Sequence, residues 1–223
     1  MRSQLFRDRL QAGELLGREL AQRLGKRDDL LVLALPRGGV PVGYSVAQAL
    51  NAPLDVFIVR KLGVPGREEL AMGAIASGGV RVLNDDVLGH LRLPASVIDG
   101  VAEREARELS RRERAYRGNC PPLDVRGRTV VVVDDGLATG SSMRAAVRAL
   151  RKMQPREIIV AVPVGASSTC AELRAEAGKV VCLRTPEPFH AVGMWYDDFS
   201  QTSDDEVHEL LDRAALAAPG GKS

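Results

Sequence analysis

The stretch VVVVDDGLATGSS, residues Val130 to Ser142, constrains the fold more than any other part of the chain. Four valines in a row leave no polar face. A strand of that kind must be covered on both sides, as in parallel sheets flanked by helices. The run ends at two adjacent aspartates, Asp134 and Asp135. Mostly small or hydroxylated residues follow: Gly136, Ala138, Thr139, Gly140, Ser141 and Ser142. A buried strand that runs into a doubled negative charge and then a tight turn is more than a strand end needs.

The rest of the chain alternates in the same way. Leucines among charges at residues 3–25 give a helical period. LLVLALP (30–36) is a short apolar run stopped by Arg-Gly-Gly, and PVGYSVAQALN (41–51) reads as a helix. LDVFIVRKL (54–62) reads as one strand, followed by a glycine-rich, mobile segment to residue 80. VRVLN (80–84) is a strand, and 95–117 is a charged helix with a solvated face. Strands at 128–135, 156–165 and 179–186 alternate with helices at 141–153 and 168–178, and a last helix spans 203–217. This pattern predicts an α/β fold: a doubly wound, mainly parallel sheet with helices on both faces. A single domain over residues 1–217 is expected, with its core at about 28–186 and a disordered tail at 218–223. In such sheets ligands bind outside the carboxyl ends of the strands. The loops after residues 35, 61, 135 and 165 are therefore the places to search.

Composition narrows the function. A net charge of +2 does not favour nucleic-acid binding by charge. Cys120, Cys170 and Cys182 are odd in number and far apart, which suggests neither a disulfide framework nor a zinc site. No apolar signal core opens the sequence and no run approaches a membrane span, so a cytoplasmic protein with no membrane partner is expected.

The loop after the acids has a chemistry of its own. Converging backbone N–H groups at a helix N-terminus suit a phosphate. Thr139, Ser141 and Ser142 add hydroxyl donors. Asp134 and Asp135 would repel that phosphate, but they can accept hydrogen bonds from vicinal hydroxyls or face a divalent cation. A phosphate with a diol a few ångströms away describes a ribose 5-phosphate. The plain alternative is that the acids end the strand and Ser141 or Ser142 caps the helix. A Walker A loop lacks its lysine here, a Rossmann GxGxxG is absent, and Gly136 occupies the second acidic place of an Asp-x-Asp phosphatase.

On these residues the stretch resembles the ribosyl-phosphate loop of the type I phosphoribosyltransferases, closest to the adenine-type version. LPRGGVPVG (35–43) resembles the same family's diphosphate loop, with Arg37 as a charge and Gly38 and Gly39 shaping the turn. RKLGVPGREELAMGAI (60–75) lies where the family has a flexible loop that closes over the diphosphate. There Arg60 and Lys61 are candidates to neutralise the leaving group, and Arg67 reads as solvated.

The resemblance implies binding of 5-phosphoribosyl 1-diphosphate (PRPP) with Mg2+. It also implies transfer of the ribosyl group to a nitrogen nucleophile, usually a nucleobase, and a homodimer. Asp134, Asp135, Lys61 and Arg37 would be catalytic. Ala138 to Ser142 would hold the 5-phosphate, and the metal would meet Asp134 and Asp135 indirectly, mainly through PRPP. The aromatic segment 187–202 would contribute a hood over the base, with Trp195 or Tyr196 as a stacking face. One departure stands out. The hypoxanthine–guanine enzymes carry an aspartate before the Thr-Gly pair as proton acceptor, and here that position is Ala138. The competing expectation is a PRPP- or nucleotide-sensing regulator on the same fold.

Overall fold

The computed structural model describes residues 5–91, 93–118 and 120–217. The expected tail at 218–223 lies outside the described residues. The element order is α1 (Arg9–Leu24), β1 (Leu30–Ala34), α2 (Gly39–Leu50), β2 (Leu54–Val56), β3 (Val59–Val64), β4 (Arg67–Ala76) and β5 (Val80–Leu83). Then come α3 (Asp85–Leu91), α4 (Ala95–Arg117), β6 (Thr129–Val133), α5 (Ser141–Lys152), β7 (Glu157–Val164), α6 (Ser167–Ala177), β8 (Lys179–Arg184) and α7 (Asp204–Ala217).

Five strands form the central sheet in the order β2-β1-β6-β7-β8, and every pair is parallel. The valine run explains why β6 sits at the centre. Val130 and Val132 point to one face, where they pack with Leu33, Val160 and the α5 residues Met143, Val147 and Leu150. Val131 and Val133 point to the other, against Leu16 and Leu20 of α1 and Val42 and Val46 of α2. A period of two with both faces apolar becomes a strand buried on both sides. The doubly wound expectation holds: after β1 the chain moves outward to β2, and β6 returns to the other side of β1. The β1/β6 boundary is thus a topological switch point, where such sheets open a crevice at the strand carboxyl ends.

Three expectations need correction. The run 54–62 is two strands in two sheets. Phe57 donates its backbone N–H to Ala34, still in the central sheet, while Ile58 donates to the Ser77 hydroxyl. Both side chains are buried, so the apolar run continues through the break and hides it. The segment expected to be a mobile loop contains a ten-residue strand, β4, which pairs antiparallel with β3 and β5. The charged helix 95–117 forms as α4, but one stripe of it is buried. Ile98, Val101, Ala102 and Leu109 cover Leu62, Val64, Met72 and Ile75 of the second sheet. That sheet is held between α4 and α5, because Val59, Ala76, Val80 and Val82 face the α5 side.

The opposite end of the strands is fastened by charge. Asp29 accepts from Arg27 Nε at 3.0 Å and from the Thr129 hydroxyl at 2.7 Å, and Arg27 also reaches Glu157. These partners, Arg27 first, pull the Asp29 carboxyl down from 3.8 to about 2. A depressed acid gives stability that is present above its unfolded value and lost as pH falls through its folded value. Asp29→Asn is therefore expected to cost about 1–2 kcal/mol at neutral pH, given partial solvent screening. The cost should fade between pH 4 and about 2, as urea denaturation across that range would measure.

Candidate functional site

Two loops meet at the switch point. Leu35 donates to the Val133 carbonyl and extends the β1/β6 pairing by one step. The chain then turns tightly, with Gly39 N–H on Leu35 and Val40 N–H on Arg37. A β-carbon on Gly38 would lie 2.1 Å from Asp135 Oδ2, and one on Gly39 would lie 2.8 Å from the Val133 carbonyl oxygen. Only glycine lets this turn approach the acids so closely.

Asp134 Oδ1 accepts the N–H of Asp135 at 2.9 Å. Asp135 Oδ2 accepts from Arg9 Nε at 2.8 Å. Burial raises the Asp134 carboxyl well above the usual carboxylate range, and the neighbouring Asp135 charge adds to it. Burial also raises Asp135, against the opposing pull of Arg9.

The next residues are pinned on one side and open on the other. Leu137 donates to the Val164 carbonyl, accepts from Ala166 N–H, and buries its side chain. Ala138 and Thr139 are exposed. The Thr169 hydroxyl holds the Ala138 carbonyl at 2.6 Å. Gly140 adopts φ +67°, a left-handed conformation that favours glycine, and precedes α5. No side chain caps α5, so neither Ser141 nor Ser142 does the capping that the plain alternative required. Uncapped N–H groups of a helix's first turn attract an anion.

The other expected residues are distributed around this centre. Arg37 is half-buried, and its Nη1 lies 3.9 Å from Asp204 Oδ1 at the start of α7. The Tyr116 hydroxyl donates to that same oxygen at 2.6 Å; burial first, then Asp204, pushes this phenol up to about 12. Lys61 is exposed on β3 and lines a cavity of about 320 Å³ that Ser141 and Arg144 also line. Lys61 and Ser141, the first residue of α5, therefore line one cavity. Arg60 does not join them: its guanidinium is bound to Glu105 of α4 at 2.7 and 2.9 Å. Tyr196 is buried between Phe6 and Phe199, and its hydroxyl donates to the Asp135 carbonyl at 2.6 Å. Its ring anchors the acid pair from behind and leaves no face for a ligand, which corrects the stacking expectation for this residue. Trp195 packs beside it on the same aromatic cluster. The segment also pairs with the chain start: Phe6 N–H reaches Trp195, and Asp197 and Asp198 reach back to Phe6 and Arg7. Val192 covers Gly136, so the segment does border the loop.

Arg9 is the residue that sequence reasoning missed. One more arginine in a charged helix carries no local signal, and its partner is 126 residues away. Among the described residues no group of three or more His, Cys, Asp or Glu side chains could hold a metal. One of the two carboxyl groups, Asp135, is already engaged by Arg9.

Comparison with known proteins gives a consistent result. Residues 7–197 match the model of the phosphoribosyl transferase domain. A Mycobacterium tuberculosis protein named "Putative phosphoribosyl transferase" is 49% identical over 210 residues, covering 94% of this chain. The chain spans 47% of that relative's length. A Chloroflexus aurantiacus protein named "Bifunctional protein PyrR" is 28% identical over 143 residues, covering 63% of this chain and 72% of its own. Among solved structures, TT1426 from Thermus thermophilus superposes with a TM-score of 0.83 at 42% identity, covering 93% of this chain and 97% of its own.

Proposed function

Because the chain belongs to the phosphoribosyl transferase domain family, we propose that it transfers the 5-phosphoribosyl group of PRPP to a nitrogen nucleophile on a nucleobase-like ring, with release of diphosphate. One observation carries this reading. An uncapped helix start behind exposed Ala138 and Thr139 stands directly after two carboxylates at the switch point. That is an anion cradle beside a diol acceptor.

The chemistry follows from charge. Displacement at the anomeric carbon breaks the bond to diphosphate and forms a bond to nitrogen. Positive charge grows on the ribose and negative charge on the leaving group. Residues 138–142 anchor the 5-phosphate and so position the reacting carbon. Asp134 and Asp135 accept from the ribose hydroxyls and favour the cationic sugar. The turn at Gly38 and Gly39 offers backbone N–H groups to the diphosphate, with Arg37 and Lys61 as its cations. Mg2+ carried by PRPP would supply further neutralisation of the diphosphate, facing Asp134 and Asp135. Arg60, bound to Glu105, takes no part. Trp195 and Val192 would border the acceptor.

Titration calorimetry with Mg2+ and PRPP tests the binding. Ligand at about 100 times its dissociation constant should stabilise the fold by roughly 2.7 kcal/mol. No heat and no thermal shift at millimolar PRPP would end the proposal. A second reading, a PRPP sensor without turnover, is favoured by Ala138, which leaves no acid at the proton-acceptor position. Diphosphate release with a panel of bases separates the two: transfer requires release with at least one base, and a sensor binds PRPP without it.

A further inference from the structure

We propose that Arg9 is a positioning residue that serves as the resident counterion of the acid pair, so that the pair accepts a diol and rejects a bare divalent cation. The inference deepens the phosphoribosyl reading and rests on it only for the identity of the diol.

Three contacts and one close approach place Arg9 in this role. Its Nε donates to Asp135 Oδ2 at 2.8 Å. Its Nη1 donates to the Ser200 carbonyl. Its guanidinium lies 3.8 Å from the centroid of the Phe199 ring. Its Nε would be 3.3 Å from a β-carbon on Gly38, so it also abuts the tight turn after β1. The side chain is 11% exposed and Asp135 is 17% exposed. A guanidinium held on three sides in a nearly closed space cannot swing away without leaving a carboxylate unpaired.

The consequence is electrostatic. Arg9 brings one positive charge against the two carboxyl groups, so the pair offers a cation far less negative charge than two free carboxylates would. One Asp135 oxygen is already taken by Arg9, and one Asp134 oxygen accepts the Asp135 N–H. Hard divalent cations favour several oxygen ligands and strong local negative charge. The remaining oxygens suit neutral hydroxyl donors instead. Arg9 thereby turns what resembles a two-carboxylate metal site into a hydroxyl-binding site, and a cation enters only when an anionic ligand brings it.

The test uses Mn2+ as the probe, followed by electron paramagnetic resonance on the full chain without other ligand, and ribose 5-phosphate by calorimetry. The intact protein should bind Mn2+ weakly. Arg9→Gln should bind it at least tenfold tighter, and adding Asp135→Asn should abolish the gain. Arg9→Lys keeps the charge without the fork, so it should restore weak Mn2+ binding while ribose 5-phosphate binding stays reduced. Unchanged Mn2+ affinity in a folded Arg9→Gln variant overturns the proposal, as does an Arg9→Lys variant that behaves like Arg9→Gln. If Arg9→Gln does not fold, the intact protein still decides. Tight Mn2+ binding that Asp135→Asn removes would overturn the counterion role, and weak binding supports it. Failure of the phosphoribosyl reading has a different signature: the intact protein ignores PRPP and ribose 5-phosphate while the Mn2+ results stand.

Discussion

Asp134→Asn combined with Asp135→Asn is expected to leave a folded protein that no longer holds a ribosyl phosphate. If the proposed site is right, each carboxylate lost would remove a charged hydrogen bond to a ribose hydroxyl, worth about 1.5–3 kcal/mol. Together the two changes should weaken binding by at least about a hundredfold, since each 1.4 kcal/mol is a factor of ten. The two positions differ in what they do to the empty protein. Asp134 sits where burial and the Asp135 charge both raise its carboxyl. Asp135 holds Arg9, so its loss leaves a nearly enclosed guanidinium without its acid. Asp134→Asn alone should therefore raise thermal stability near neutral pH, and the double variant should not match it. The sign follows from proton binding. A folded carboxyl that titrates above its unfolded value of 3.8 binds more protons than the unfolded chain in the window between the two values. Stability falls as pH rises through that window. Melting curves from pH 4 upward should show this decline in the intact protein and less of it in Asp134→Asn. A lower melting temperature for Asp134→Asn at neutral pH would mean that the acid is a structural partner and not a strained site residue.

How much of this was legible in the sequence depends on the distance over which each residue acts. The valine run specified a strand buried on both faces, and the turn after it specified a helix start, because both are local. Gly38 and Gly39 pointed to a tight turn for the same reason. The second sheet was not legible. Phe57 and Ile58 are as apolar as their neighbours, so the point where the chain leaves one sheet for another has no local mark. The glycines of 63–80 suggested a loop, yet Gly73 lies within a strand, where a β-carbon would be 2.4 Å from the Val82 carbonyl oxygen. Arg60 carries the charge expected of a leaving-group partner, but Glu105, 45 residues on, claims it. Tyr196 does lie beside the acid pair, but its ring is buried among other aromatic rings. Clustered aromatics do not reveal whether they face a ligand or each other, and here Phe6, from the far end of the chain, supplies the partner ring.

The two glycines after β1 should separate binding from stability. A β-carbon at Gly38 would meet Asp135 Oδ2 at 2.1 Å and Arg9 Nε at 3.3 Å. Both are side-chain atoms, so Gly38→Ala can be accommodated if the Asp135 carboxylate rotates. Rotation breaks the 2.8 Å bond to Arg9 and moves the carboxylate out of the place where a ribose hydroxyl would meet it. The expected result is a folded protein with at least tenfold weaker binding of PRPP. A β-carbon at Gly39 meets backbone instead: the Val133 carbonyl oxygen at 2.8 Å and the Asp134 Cα at 3.0 Å. Those atoms end the central strand, whose neighbours on both faces are closely packed. They cannot yield without shifting the core, and overpacking of this kind costs about 1–3 kcal/mol. Gly39→Ala should therefore lower the melting temperature as well as weaken binding. Chemical denaturation and calorimetry on the two variants read both effects. If Gly38→Ala bound PRPP as well as the intact protein does, the approach of this turn to Asp135 would be a packing detail, and the switch point would lose its claim to be the ligand site.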